Sequence, residues 1–316
     1  MRQQTKQIGV LLATLALLGV LAFKAPDYFS TTNLTDLFLS TMQVAIPAIG
    51  MTLIILTGQI DISIGSIFAI CSVAMGSCAA SGIPIFASAL IACLLGMLCG
   101  GFNGLLTAYL RVPSIVATLA TMVALRDALR WKTQGTWISG LPNNFQWLGL
   151  SPSAYICLCA ICILLLITLT IYGLRYLHIG RIIYATGSNP EAAAIAGINT
   201  RLIILMVFGF NGLLTGLAAG VNASRFNQIP SNLGLGLEMK VIAAVAIGGA
   251  EITGGSASIV GTMLGVLLLE CISSALTFLH ISVYWEKAIQ GAIILIAVAG
   301  GSIRLYRKQN ASALAH

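Results

Sequence analysis

The residues that could carry chemistry begin with two acids in matching surroundings. Asp61 lies within GQIDISIGS at 58–66, and Glu251 lies within GGAEITGGS at 248–256, 190 residues later. An acid at the centre of a bilayer costs about 2.5–3.5 kcal/mol, so it is retained where it faces a cavity or a partner. The neighbouring glycines would let a helix break, and the exposed backbone would then line protein or water.

Two hypotheses explain these segments. In the first, Asp61, Ser63, Glu251 and Thr253 line or gate a translocation pathway; in the second, the segments are tight interfacial turns in which Ser and Thr cap helices. The shared order of residues also indicates an internal repeat, which is common in transporter folds. An even number of predicted spans separates the copies and gives them one orientation, whereas a re-entrant span would invert them.

Two asparagines are further candidates because they lie inside apolar stretches. Asn103 and Asn211 occupy the same place in two FNGLLT motifs, 108 residues apart. An intramembrane Asn lines a pathway or forms a hydrogen bond between helices. Since the offset of 108 differs from the offset of 190 between the acids, we interpret this second match as chance similarity between packed helices.

Several kinds of site are disfavoured by what the chain contains. Its three His and scattered acids form no cluster for an enzyme, and its eight Cys lie in apolar runs as small packing residues. No G-x-x-x-x-G-K-[ST] motif is present to hold nucleotide phosphates. The sequence therefore predicts no catalytic residues, no metal and no cofactor. Basic residues are spread between apolar runs, which argues against a nucleic-acid partner.

A polar interval at about 175–201 contains a predicted short helix at 190–196. Asn189 suits the N-cap, Pro190 the first helical position and Glu191 the positive end of the helix dipole. Alanines continue the helix, and Gly197 can end it. Such a small-sided, basic-flanked helix is typical of a docking element, although an ordinary linker between spans would also fit.

The elements that position these residues must be membrane helices. Apolar residues make up 58% of the 316-residue chain and charged residues 8%, against about 25% in a soluble domain. We predict an all-α integral membrane protein, a single transmembrane domain over 1–316, with about ten transmembrane helices and an internal repeat. The eighth span is short, as expected of a broken one. The predicted spans are 8–23, 37–57, 64–82, 84–109, 113–130, 154–174, 202–221, 239–250, 257–279 and 284–303.

Orientation and packing follow from charge and glycine spacing. With both termini inside, nine Lys and Arg lie on the inner side and seven on the outer side, and the basic cluster at 126–132 opposes this assignment. Glycines spaced by four, at Gly96 and Gly100, at Gly212 and Gly216, and at Gly261 and Gly265, predict closely packed helices.

Four ordered motifs resemble the permeases of ABC importers. Glu191-Ala192-Ala193-x-x-x-Gly197 is similar to the core of their EAA motif, although the later Ile-x-Leu-Pro part of the longer motif is absent. The stretches at 58–66, 102–119, 180–189 and 236–256 are similar to those of ribose, autoinducer-2 and rhamnose permeases, and WISGLP at 137–142 is most like the autoinducer-2 permeases.

The resemblance implies a permease of the bacterial inner membrane that carries a small sugar or sugar-like solute. Its partners would be ABC ATPase subunits, a second permease copy or paralogue, an extracytoplasmic solute-binding protein and membrane lipid. The alternative is an ion- or proton-coupled secondary transporter that needs no ATPase. The residues that the resemblance assigns to ATPase coupling are Gly180, Arg181, Asn189, Pro190, Glu191, Ala192, Ala193 and Gly197.

Overall fold

The computed structural model describes residues 2–282, 284–292 and 295, and within them the regular structure is helical. Two 3-10 turns, Pro26–Phe29 and Gln146–Gly149, and a helical stretch at 284–292 accompany the α-helices. The α-helices are α1 (Arg2–Lys24), α2 (Thr31–Leu56), α3 (Ile64–Ala80), α4 (Ile85–Ala108), α5 (Ser114–Thr133), α6 (Pro152–Tyr176), α7 (His178–Ser188), α8 (Pro190–Ile195), α9 (Thr200–Ala223), α10 (Leu237–Ile247) and α11 (Ile259–Phe278).

Six of these helices are long and apolar enough to cross a bilayer, namely α1, α2, α4, α6, α9 and α11. The all-α membrane architecture is therefore confirmed. Helix α3 is apolar but only 17 residues long. Helix α10, which corresponds to the short eighth predicted span, has 11 residues. Helix α5 is long enough, but its second half is rich in charge. The predicted span 284–303 lies partly outside the described residues.

Helix α2 forms the centre of the bundle. Its most apolar stretch is 83% buried, whereas the corresponding stretches of α1 and α6 are 17% buried. It packs against α9, α10, α11 and α6. The outer helices thus present apolar surface such as Leu12, Leu98 and Leu164, which suits contact with lipid.

The predicted glycine packing is confirmed on two pairs of helices. A side chain at Gly96 of α4 would overlap the carbonyl of Gly212 of α9, and Gly216 lies as closely against Ala92. On the other pair, Gly265 of α11 lies against the backbone of Ala244 of α10. Without a Cβ at these points the helix backbones approach closely, and dispersion forces stabilise the contact.

Candidate functional site

The chain between α2 and α3 is unwound and runs along α5. The N–H groups of Ile60 and Ile62 donate to Ser114 Oγ (3.2 Å) and Thr118 Oγ1 (3.1 Å). Ser66 then donates to the carbonyl of Met122 (2.8 Å). Since the three partners on α5 are spaced by four residues, the segment follows the helix for two turns, about 11 Å. The broken span predicted around Asp61 is thus present, and hydroxyls satisfy its backbone donors.

Four of the six predicted pathway residues meet beside this unwound segment. Asp61 Oδ1 accepts hydrogen bonds from Ser63 N (2.9 Å) and Ser63 Oγ (2.6 Å). Asn211 Nδ2 donates to Asp61 Oδ2 (3.0 Å), and Asn103 Nδ2 donates to Ser63 Oγ (2.8 Å). All four side chains are fully buried. We call Asp61, Ser63, Asn103 and Asn211 the buried polar cluster.

The two asparagines reach the cluster from different helices. Asn103 comes from α4 and Asn211 from α9, the pair of helices joined by glycine packing. Each Asn therefore holds one member of the Asp61–Ser63 pair from the same position of an FNGLLT motif. The two asparagines therefore share a role, which our interpretation of the repeated FNGLLT motif as chance similarity did not predict.

The buried polar cluster leaves some acceptors free within the described part of the chain. Asp61 has no ion-pair partner among those residues. There too, the Oδ1 atoms of Asn103 and Asn211 accept no hydrogen bond. A buried oxygen without a partner is costly, so such atoms commonly serve a ligand or a moving element.

The second acidic segment lies elsewhere. Glu251 and Thr253 are exposed in the loop between α10 and α11 rather than beside Asp61. The same loop reaches the last residue of α2, where Gly255 N–H donates to the carbonyl of Leu56 (2.9 Å). The two echoed segments therefore meet at backbone level, with Gly254 packed against Gly58, while their acids stay apart.

Helix α7 ends on this same contact. A side chain at Gly187 would overlap the Leu56 carbonyl, and Ser188 lies against Gly255. We call this meeting of α2, α7 and the loop 251–255 the coupling junction. Backbone touches backbone here, so α7 lies in direct contact with the end of α2, where the unwound segment starts.

The predicted coupling residues occupy α7 and α8. Gly180 lies so close to the Leu174 carbonyl that a Cβ would overlap it, which fixes the turn from α6 into α7. Arg181 is exposed on α7. Asn189 caps α8, since its Oδ1 accepts from Ala192 N–H (3.0 Å), and Pro190 opens the helix.

The end and the surface of α8 also agree with the prediction. Gly197 follows the helix with φ +83°, a conformation that favours glycine and ends the helix. Ala193 is buried against the protein, whereas Glu191 and Ala192 are exposed and Ile195 is 89% exposed. An exposed helix with small and apolar side chains offers a surface to another protein.

Sequence patterns missed an ionic cluster at the other break. Lys240 of α10 lies 2.9 Å from Glu270 Oε1 of α11 and 3.0 Å from Glu286 Oε1 in the helical stretch 284–292. Lys240 also donates to Ser273 Oγ (2.9 Å). Lys240 therefore joins α10 to α11 and to the helical stretch 284–292. The only sequence signal for this cluster was that Lys240 and Glu270 are isolated charged residues in apolar stretches.

Comparison with known proteins gives one family. The model of the family described as branched-chain amino acid transport system / permease component matches residues 33–298. The autoinducer 2 import system permease protein LsrC of Photorhabdus laumondii is 36% identical over 98% of this chain and 93% of its own length. The proteins of that name from Yersinia pseudotuberculosis and Yersinia pestis are each 38% identical over 98% of this chain and 88% of their own length. No solved structure matches the chain.

Proposed function

The chain belongs to the family described as branched-chain amino acid transport system / permease component, and we propose that its solute is autoinducer 2 or a closely related small sugar-like molecule. As a permease subunit of an ABC importer in the bacterial inner membrane, it is no enzyme itself, and ATP is hydrolysed on a separate subunit. The observation that carries the solute assignment is the 36–38% identity along nearly the whole chain to permeases named for autoinducer 2 import.

The solute is tested by uptake in cells that lack their own importers for these molecules. The chain is expressed with its ATPase, partner permease and solute-binding protein, and the cells receive autoinducer 2, D-ribose or L-rhamnose. We expect depletion of autoinducer 2 from the medium and little uptake of the two sugars. Uptake of ribose or rhamnose alone would contradict the assignment.

The translocation pathway, in this proposal, passes the buried polar cluster. Asp61, Ser63, Asn103 and Asn211 lie at a break between helices, where backbone and side-chain oxygens are available to solute hydroxyls. Glu251 and Thr253 would lie at the inner mouth of the pathway, because their loop reaches the coupling junction. The exposed position of both side chains supports contact with water there.

ATP hydrolysis, we further propose, reaches the pathway through α8 and α7. The exposed surface of α8, with Glu191, Ala192 and Ile195, suits docking on the ATPase. Movement of α8 would shift α7, whose Gly187 abuts the end of α2. The unwound segment that carries Asp61 begins at that end of α2, so the movement of α7 would displace the buried polar cluster.

The complete subunit in this proposal has about ten spans and works beside a second permease copy or paralogue. The nine predicted spans up to residue 279 each correspond to one helix of the bundle, and the tenth would occupy 284–303. The internal repeat would comprise the breaks at 58–66 and 248–256, each of which precedes a helix, α3 or α11. The solute-binding protein would deliver solute on the side opposite α8.

A further inference from the structure

A cleft with charged walls lies between α5 and the start of α10. It has a volume of about 240 Å³, and Arg126, Asp127 and Arg130 of α5 face Glu238 of α10 across it. We propose that this cleft is a binding site for a small, uncharged, polyhydroxylated molecule on its way through the membrane. The inference rests on the proposed function, since it names the place on the pathway where the solute is recognised.

The position of the cleft argues for water rather than lipid. Arg126 is twelve residues beyond Ser114, the start of α5, which places it about 18 Å along this 20-residue helix. The side chains of Asp127 and Arg130 form an ion pair at 3.4 Å and are 64% and 60% exposed. Charged side chains on a helix that packs against the apolar helices α3 and α4 face a water-filled cavity or a protein partner, because lipid exposure costs several kcal/mol.

The charges of the cleft are balanced. The lining contains two guanidinium groups and two carboxylates, so the charges of the walls cancel and favour neither an anion nor a cation. A neutral molecule with several hydroxyls can use both kinds of wall, since hydroxyls accept from guanidinium N–H groups and donate to carboxylates. The volume lies below the 300–1,000 Å³ of drug-sized pockets, which restricts the occupant to a small molecule.

The protein holds one charged group of the cleft, Arg126, in place and leaves a buried oxygen of another, Glu238, without a donor. Arg126 Nη1 donates to the carbonyl of Leu233 (2.8 Å), which leaves its other N–H groups to the cleft. Glu238 Oε2 accepts no hydrogen bond from the described residues. The apolar lining from Met122, Val123 and Leu235 gives a carbon skeleton surface to pack against.

The cleft adjoins the start of α3, next to the unwound segment of the proposed pathway. Gly65, at the start of α3, lies against the Gly234 carbonyl and the Glu238 carboxylate. Helices α3 and α10 therefore begin side by side near the cleft, where the positive ends of their dipoles would favour the hydroxyl oxygens of a bound molecule. Below it, the unwound segment follows α5 down from Met122 to Ser114, past the buried polar cluster.

Cysteine labelling tests the cleft in the assembled importer without depending on transport. Val123→Cys is placed in the cleft, and Leu164→Cys, on the exposed apolar face of α6, serves as the matched control. A charged methanethiosulfonate that does not cross membranes is added from the side of the solute-binding protein. The unsubstituted chain, with its eight native Cys, gives the background.

We expect Val123→Cys to react at least about tenfold faster than Leu164→Cys. Whichever of autoinducer 2, D-ribose and L-rhamnose the importer carries should, at millimolar concentration, slow labelling several-fold, and Glu238→Gln should abolish that protection while leaving labelling intact. Equal, slow labelling at both positions would overturn the water-filled cleft. Fast labelling that none of the three solutes slows would overturn the binding site.

The same experiment separates the two proposals. If the complex shows no ATP-driven uptake but Val123→Cys is labelled and protected, the solute site stands and the importer function fails. If uptake is normal and Val123→Cys is inert, the importer function stands and the cleft proposal fails.

Discussion

At the scale of residues, the central feature is a buried carboxylate supported by neutral donors. Asp61 accepts three hydrogen bonds from Ser63 and Asn211 and has no ion-pair partner in the described chain. Such a group is tolerated only while its donors remain, because the loss of a partner exposes it to the full cost of desolvation. The geometry of the cluster therefore depends on each amide that reaches it.

Replacement of Asn211 by Leu tests this dependence. The change removes the donor to Asp61 Oδ2 at similar volume and leaves that oxygen unpaired, which should destabilise the subunit by about 1–3 kcal/mol. We expect a lower thermal unfolding temperature of the purified importer and a strong loss of uptake. Asn143→Leu, in an exposed loop, is the control and should change neither. An unaltered unfolding temperature for Asn211→Leu would show that the amide does not support the carboxylate.

Sequence alone predicted the members of the cluster but not their meeting. Asp61, Ser63, Asn103 and Asn211 stand out as polar residues inside apolar stretches. Asn103 and Asn211 converge on one pair of residues because α4 packs on α9. The local sequence pattern does not encode this tertiary contact. For the same reason Glu251, a close match to Asp61 in sequence, could not be separated from it beforehand.

At the scale of elements, α7 and α8 link an exposed surface to the core of the bundle. The limits of α8 follow from Asn189, Pro190 and Gly197, and local capping chemistry was enough to predict them. The contact of Gly187 with the end of α2 was not predictable, because it joins residues 131 positions apart. Local signals thus fix the short helix, whereas long-range packing fixes the contact between α7 and α2.

Replacement of Gly187 by Ala tests the coupling junction. A methyl group there overlaps the Leu56 carbonyl, and overpacking of this kind costs about 1–3 kcal/mol and displaces α7. We expect the ATPase to co-purify normally while uptake falls at least about tenfold. Gly173→Ala, on α6 with open space around it, is the matched control. Normal uptake by the Gly187→Ala importer would remove α7 from the coupling route.

Replacement of Glu191 by Lys tests docking through α8. Glu191 is exposed in the first turn, so the change reverses a surface charge and places a cation at the positive end of the helix. We expect less ATPase to co-purify with the membrane complex and lower uptake, with membrane insertion unaffected. The control Asp27→Lys makes the same reversal in the exposed turn after α1. A normal yield of complex with Glu191→Lys would place the ATPase contact elsewhere.

At the scale of the whole molecule, composition was sufficient to predict the architecture. A chain with 58% apolar and 8% charged residues can only bury its surface in lipid, and six of the helices are long and apolar enough to cross a bilayer. The distribution of Lys and Arg between the inner and outer sides of the membrane did not explain the basic residues at 126–132. In the folded chain Arg126 binds the Leu233 carbonyl and Arg130 pairs with Asp127, so these charges belong to a cleft rather than to a loop.

The central claim is that ATP hydrolysed by a separate subunit drives import through this chain. The most direct measurement is uptake of autoinducer 2 into proteoliposomes that contain the assembled importer and its binding protein, with ATP supplied on the ATPase side and ion gradients collapsed by ionophores. We expect uptake that requires ATP and continues without any proton or sodium gradient. Uptake that proceeds without ATP and stops when the gradients are collapsed would contradict it.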